Sequence, residues 1–130
     1  MNVLSIVRKT SVAFCALILF ACSSSGDSKT KIKYVVHADS QMITSIMYRD
    51  SNGDMQEGLT EVIVDWNKTI NVDTPFSANL VVSFNNVSSS TSAYYLAIYR
   101  NGESEPSEYV PGIVPASAIT TGTATLEVAD

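Results

Sequence analysis

From Lys31 onward, apolar and polar residues alternate with a period of two. In the run KIKYVVH, Ile32, Tyr34 and Val36 fall on one side and Lys31, Lys33 and His37 on the other. The alternation is most regular in FSANLVVSFN, where Phe76, Ala78, Leu80, Val82 and Phe84 are interleaved with Ser77, Asn79, Val81, Ser83 and Asn85. Successive side chains of an extended chain point to opposite faces, so each run predicts a half-buried strand. Met42 to Arg49 continues the series. Glu61 to Trp66 puts Val62, Val64 and Trp66 on one face, and Thr69 to Val72 adds Ile70 and Val72. Ala93 to Arg100 and Thr123 to Val128 complete the set, the last with Ala124, Leu126 and Val128 inward. Apolar residues nowhere recur at helical spacing over three turns, so no long helix is expected.

The punctuation fits antiparallel hairpins. Asn52-Gly53 and Asn101-Gly102 follow predicted strands, and Asn-Gly adopts positive φ at low cost. Pro75 precedes a strand, and Pro111-Gly112 with Pro115 predicts a loop, because proline has no N–H to give to a ladder. About seven strands over residues 31–130 predict an all-β domain, an antiparallel β-sandwich of immunoglobulin-like character. The Cys…Trp…Cys signature of immunoglobulin domains is missing, so this expectation concerns architecture alone.

The first residues depart from the pattern. TSVAFCALILFAC, Thr10 to Cys22, follows Arg8 and Lys9 and precedes the polar run Ser23, Ser24, Ser25, Gly26 and Asp27. A positive start, a short apolar run and a small residue before a cut site describe an export signal. A membrane-spanning helix takes about 20 apolar residues, and Ser11 to Ala21 falls well short of that. Leu19-Phe20-Ala21-Cys22 resembles the lipobox of bacterial lipoproteins. The resemblance implies a signal peptide over 1–21 and lipidation of Cys22, with a diacylglycerol carried on the thiol as a thioether. It further implies a bacterial cell-envelope protein, lipid-anchored to a membrane on its extracytoplasmic side. Residues 22–30 read as a flexible tether. Ser23 to Thr30 has a root-mean-square reach of about 15 Å, which keeps the folded part near the bilayer.

Charge and cysteine content narrow the chemistry. The whole chain carries a formal charge of −5. Without Arg8 and Lys9, six Lys and Arg stand against thirteen Asp and Glu, a net of −7. That sign repels phosphates, so nucleic acid is not an expected partner and membrane attachment falls to the acyl chains. The two cysteines are Cys15, inside the signal, and Cys22. Once Cys22 is lipidated no disulfide or Cys-based metal site is possible, and stability must come from the core.

A second likeness lies within the strands. Tyr34 through Val36, then ITSIMYRDSNGD (Ile43 to Asp54) and VIVDWNKTINV (Val62 to Val72), resemble the extracytoplasmic domain of the MmpS-type mycobacterial membrane proteins. The stretch runs from Lys31 to about Phe84 and is made of turn and core residues. The resemblance implies a small β-sandwich and a role as accessory to a large lipid-exporting transporter. Where that family carries a membrane helix and a Cys pair, this chain has a lipobox and neither Cys of a pair.

Candidate chemistry is sparse. Asp50, Asn52, Asp54 and Glu57 place oxygens on one loop, which reads first as an acidic hairpin turn and second as a weak calcium site. The glycine and bidentate glutamate of a calcium loop are replaced by Met55 and Val62. His37 is the one histidine, on a polar strand face; a hydrolytic site would have to join it to Asp39 or Asp65 and a serine, yet no serine sits in an elbow motif. No catalytic residue, cofactor or metal ligand is therefore expected. Trp66 reads as a core anchor. Tyr95 and Tyr99 fall opposite Tyr94, Leu96 and Ile98, and outward aromatic residues with polar tips provide contact area for a partner. Three functions remain open: a non-catalytic envelope lipoprotein serving as a binding or adaptor module, with an envelope protein or transporter as partner; a surface lipoprotein that binds glycan or another ligand through Tyr95 and Tyr99; and, last, an enzyme working through His37.

Overall fold

In a computed structural model, which describes residues 28–130, the chain is an antiparallel sandwich of two four-stranded sheets. The signal peptide expected over 1–21, Cys22 and most of the expected tether lie outside the described residues. Eight strands follow in order: β1 (Thr30–Ala38), β2 (Ile43–Arg49), β3 (Met55–Glu57), β4 (Asp65–Val72), β5 (Phe76–Asn86), β6 (Ser92–Arg100), β7 (Glu108–Val114) and β8 (Ala118–Val128). One sheet has the order β4-β1-β6-β7 and the other β3-β2-β5-β8. The expected all-β two-sheet architecture is what the chain forms. Its first strand is interior to a sheet, whereas an immunoglobulin constant domain has it at an edge.

The alternation seen in the sequence builds the core. Ile32, Tyr34 and Val36 of β1, with Leu96 and Ile98 of β6, face Ile46 of β2 and Leu80, Val82 and Phe84 of β5, and all are fully buried. Tyr34 hides its ring among these residues yet keeps its hydroxyl satisfied by donating to the Arg49 carbonyl at 2.8 Å. Burial pushes its pKa up to about 12. Tyr48 lies 5.8 Å from the Tyr34 ring and 5.6 Å from Trp66, so three aromatic residues close one flank of the sandwich. Trp66 donates its indole N–H to the Gly58 carbonyl at 3.1 Å and packs on the core, in keeping with an anchor.

The other flank is closed by Tyr94. Its ring stacks on Phe84 at 4.2 Å between centroids and lies over Gly112 and beside Gly122. A Cβ added at Gly112 would overlap that ring. The segment predicted as a Pro-Gly loop is therefore strand β7: Gly112 makes room for Tyr94, and Pro111 is tolerated because β7 is an edge strand.

Two further departures have local causes. Glu61 to Trp66 does not form one strand, and Val62 is 68% exposed instead of inward. The chain leaves β3, pins Gly58 N–H to the Ile46 carbonyl, and packs Leu59 on the core, which takes the place expected of Val62. The strand resumes at Asp65, and Trp66, Ile70 and Val72 supply its inward face. β3 is a three-residue strand that pairs Met55 with Arg49 across the Asn52-Gly53 turn. At that turn only Gly53 has a positive φ, +87°, so the primed geometry expected there is not formed, whereas at the other Asn101 and Gly102 have φ 53° and 70°, the primed geometry expected of Asn-Gly.

Strand directions give the sandwich two ends. β1 enters at Thr30 beside the Asp50–Asp54 turn, the Asn101–Gly102 turn and the end of β8. The loops after β1, β5 and β7 gather at the opposite end, where the buried Asn86 amide donates to the carbonyls of Ser90, Val114 and Pro115. From Thr30 to His37 the chain climbs about 24 Å, at ~3.4 Å per residue.

The Tyr94 packing yields a stability prediction. Gly112→Val should cost about 1–3 kcal/mol in urea unfolding, because the added carbons must displace the Tyr94 ring. Pro111→Ala, next to it and exposed, should stay within about 0.5 kcal/mol.

Candidate functional site

Burying Ile32, Tyr34 and Val36 sends the remaining residues of β1 outward, and the register of its neighbours sets what stands beside them. His37 is opposite Asp65 on β4 and Tyr95 on β6, and Tyr95 is opposite Pro111 on β7. Asp65, His37, Tyr95 and Pro111 thus form one row across the four strands. At ~4.8 Å per strand the row spans about 14 Å. The next row holds Asn67, Val35, Ala97 and Tyr109, and the one after it Thr69, Lys33 and Tyr99.

Aromatic contacts tie the first two rows together. His37 stacks on Tyr95 with centroids 5.2 Å apart, and Tyr95 meets Tyr109 at 5.5 Å with planes tilted by 42°. Tyr109 is 52% exposed and Ile113, nearer the loop end, is 63% exposed. Together with Asp39, Pro111 and Gly112 these residues line an open groove of about 460 Å³, floored by Tyr94.

The polar part of the groove is organised around His37. Its Nδ1 is 2.6 Å from Asp65 Oδ1 and its Nε2 is 3.2 Å from Asp39 Oδ1. The hydrogen bond to Asp65 raises the His37 pKa above its ordinary 6.5, partial desolvation opposes this, and Asp39 adds to the rise. Both ring nitrogens lie against carboxylate oxygens, which stabilise the protonated ring, and neither nitrogen faces a hydroxyl. No Lys or Arg lines this groove.

Tyr95 and Tyr99, paired by sequence reasoning, are separated. Tyr95 belongs to the groove with His37, whereas Tyr99 lies nearer the Thr30 end, in a second depression of about 380 Å³ lined by Lys31, Lys33 and Glu103. Ala97, between the two tyrosines on the same face, is fully buried under its neighbours. Tyr109 escaped the sequence reading because Pro111-Gly112 marked its segment as a loop. The signal was present in EYVPGIV, where Tyr109, Pro111 and Ile113 alternate with Val110, Gly112 and Val114.

The Asp50 loop spends its oxygens on itself. Asp50 accepts from the N–H groups of Asn52 and Asp54 and from the Gln56 amide, at 2.9–3.0 Å. Those bonds, the Asp54 N–H first, hold its carboxyl below the ordinary 3.8. The arrangement is that of an acidic turn. Among the described residues, no group of three or more His, Cys, Asp and Glu is placed to hold a metal ion.

No protein-family model matches the chain, and no curated protein matches it in sequence.

The His37 cluster has a pH signature. Because the folded pKa is raised, its stabilisation is complete below the unfolded value near 6.5 and is lost as pH rises through the folded value. NMR titration of the ring should place the midpoint above 6.5. Asp65→Asn should lower the midpoint more than Asp39→Asn does, and equal shifts would contradict the unequal bonds described above.

Proposed function

We propose that this protein is a non-catalytic envelope lipoprotein, held to a membrane through acylated Cys22, whose sandwich recognises a ligand through the outer face of the β4-β1-β6-β7 sheet. The observation that carries the reading is the position of the aromatic groove. It lies toward the end of β1 away from Thr30, where the chain leading from Cys22 enters the fold. A domain fastened at its Thr30 end turns this groove away from the bilayer, within reach of soluble or wall-bound material.

The chemistry of the groove supports recognition over reaction. A general base needs a free lone pair within reach of the proton it takes, and His37 has both nitrogens occupied by carboxylates. Aromatic rings with polar tips, Tyr95 and Tyr109, present contact area at small entropic cost, as binding surfaces do. The lipobox resemblance of Leu19-Phe20-Ala21-Cys22 supports the anchor, and two or more acyl chains, at ~0.8 kcal/mol per buried methylene, hold a protein firmly.

Both halves of the proposal are testable. Mass spectrometry of the membrane-extracted protein should find an N-terminal Cys22 bearing acyl groups, and Cys22→Ser should move the protein to the soluble fraction; an unmodified thiol on membrane-bound protein rejects the anchor. For the face, the isotope-labelled chain is titrated with a solubilised envelope extract. NMR signals of Val35, His37, Tyr95 and Tyr109 should broaden while those of Thr121, Thr123 and Thr125 on the other sheet persist. Broadening confined to the other sheet rejects the face.

A further inference from the structure

The groove's chemistry restricts what can occupy it, given that this face is the recognition surface. Its walls are π faces and aliphatic edges: Tyr95, Tyr109, Pro111 and Ile113. Besides the hydroxyls of Tyr95 and Tyr109, its hydrogen-bonding groups are the carboxylates of Asp39, in the lining, and Asp65, just beside it, which stand 61% and 72% exposed on either side of His37. An ionised carboxylate accepts and cannot donate. A ligand that matches both combines apolar C–H faces with hydrogen-bond donors for the carboxylates.

Charge excludes one class of such ligands. With Asp39 in the groove, Asp65 beside it and no Lys or Arg lining it, phosphate-bearing and uronic polymers meet net repulsion that the one His37 ring does not offset. A second class is disfavoured by His37. The His37 ring already spans both carboxylates, so an ammonium ligand must compete with it for them, whereas a hydroxyl donor can use the oxygen lone pairs it leaves free.

Shape adds the last restriction. The groove is open and crosses three strands, from His37 on β1 through Tyr95 on β6 to Pro111 on β7, for about 10 Å, with Asp65 just beyond it on β4, which suits an extended chain more than a single compact molecule. We infer that it binds a neutral oligosaccharide laid across the strands, with sugar C–H faces on Tyr95 and Tyr109 and hydroxyls donating to Asp39 and Asp65. Tyr99, in the depression lined by Lys31 and Lys33, lies outside this site.

The test uses the full chain in detergent, with three neutral pentasaccharides as probes, namely chitopentaose, cellopentaose and maltopentaose, against the cationic chitosan pentamer and the anionic galacturonate pentamer. Calorimetry should detect binding of at least one neutral probe and much weaker binding of both charged ones. Tyr109→Ala, at an exposed position that leaves the core intact, should weaken the bound probe at least about tenfold, the loss expected of a central aromatic contact. Asp65→Asn should weaken it too, and Tyr99→Ala should leave it unchanged. The inference is overturned if no neutral probe binds, if only a charged probe binds, or if Tyr99→Ala and not Tyr109→Ala removes binding. Envelope extract that still broadens the His37–Tyr109 face while every neutral probe fails would overturn the saccharide and leave the recognition face standing; extract that acts only on the opposite sheet would remove both.

Discussion

Everything on the outer face follows from the pleat of β1. In a two-sheet sandwich every second side chain of an interior strand must fill the core, and Ile32, Tyr34 and Val36 do so with no exposed surface. Their burial fixes the phase of the strand. A slip of one residue would bring Lys33 and His37 inside and turn three large apolar groups to water, so the register is strongly specified. Because β1 is interior, it also brings β4 to one side and β6 to the other. The carboxylate of Asp65 and the ring of Tyr95 reach His37 through that strand order alone. Neither is near His37 in sequence.

The sandwich is chemically uneven from end to end. Lys29, Lys31, Lys33, Arg49 and Arg100 all belong to the end where the chain enters, and there they alternate with acids such as Asp50, Asp73 and Glu103. The far half of the same sheet has Asp39 and Asp65 with aromatic and aliphatic neighbours. A mixed-charge end close to a bilayer has little net reason to adsorb, which leaves the orientation to the tether and the acyl chains proposed at Cys22. An end bearing π faces and acceptors has the opposite character.

The strands with strict alternation were legible from sequence, and the interruptions were not. Phe76 to Asn86 reads as a strand at sight because one face must be apolar, and it is one. Val62 and Val64 alternate equally well, yet Leu59 and Trp66 take the available core volume, so Val62 is left in solvent; alternation does not reveal which of two competing apolar residues wins a place. Pro111-Gly112 reads as a break by local chemistry. An edge strand cancels the penalty for Pro111, and Tyr94, eighteen positions earlier, requires the missing side chain of Gly112; both facts are tertiary. The candidate site was half legible for the same reason. Tyr95 could be placed outward from its own strand, whereas its neighbours His37 and Tyr109 depended on knowing which strands pair.

Magnitudes argue that the His37 cluster is kept for something other than stability. Exposed ion pairs contribute about 0–1 kcal/mol, and with carboxylates more than half exposed these two pairs belong to that class. Burying the large apolar side chains of β1 contributes about 1.5–3 kcal/mol each, so the fold does not depend on His37 for its strength. What the cluster does is immobilise. The stack on Tyr95 and the two hydrogen bonds hold an imidazole and two carboxylates in one cluster, where three freely rotating side chains would each lose entropy on meeting a ligand. A cluster organised before a ligand arrives lowers the cost of binding. On an outward face of a strand already fixed by its core side, such organisation gives the fold almost nothing and gives a binding surface its geometry.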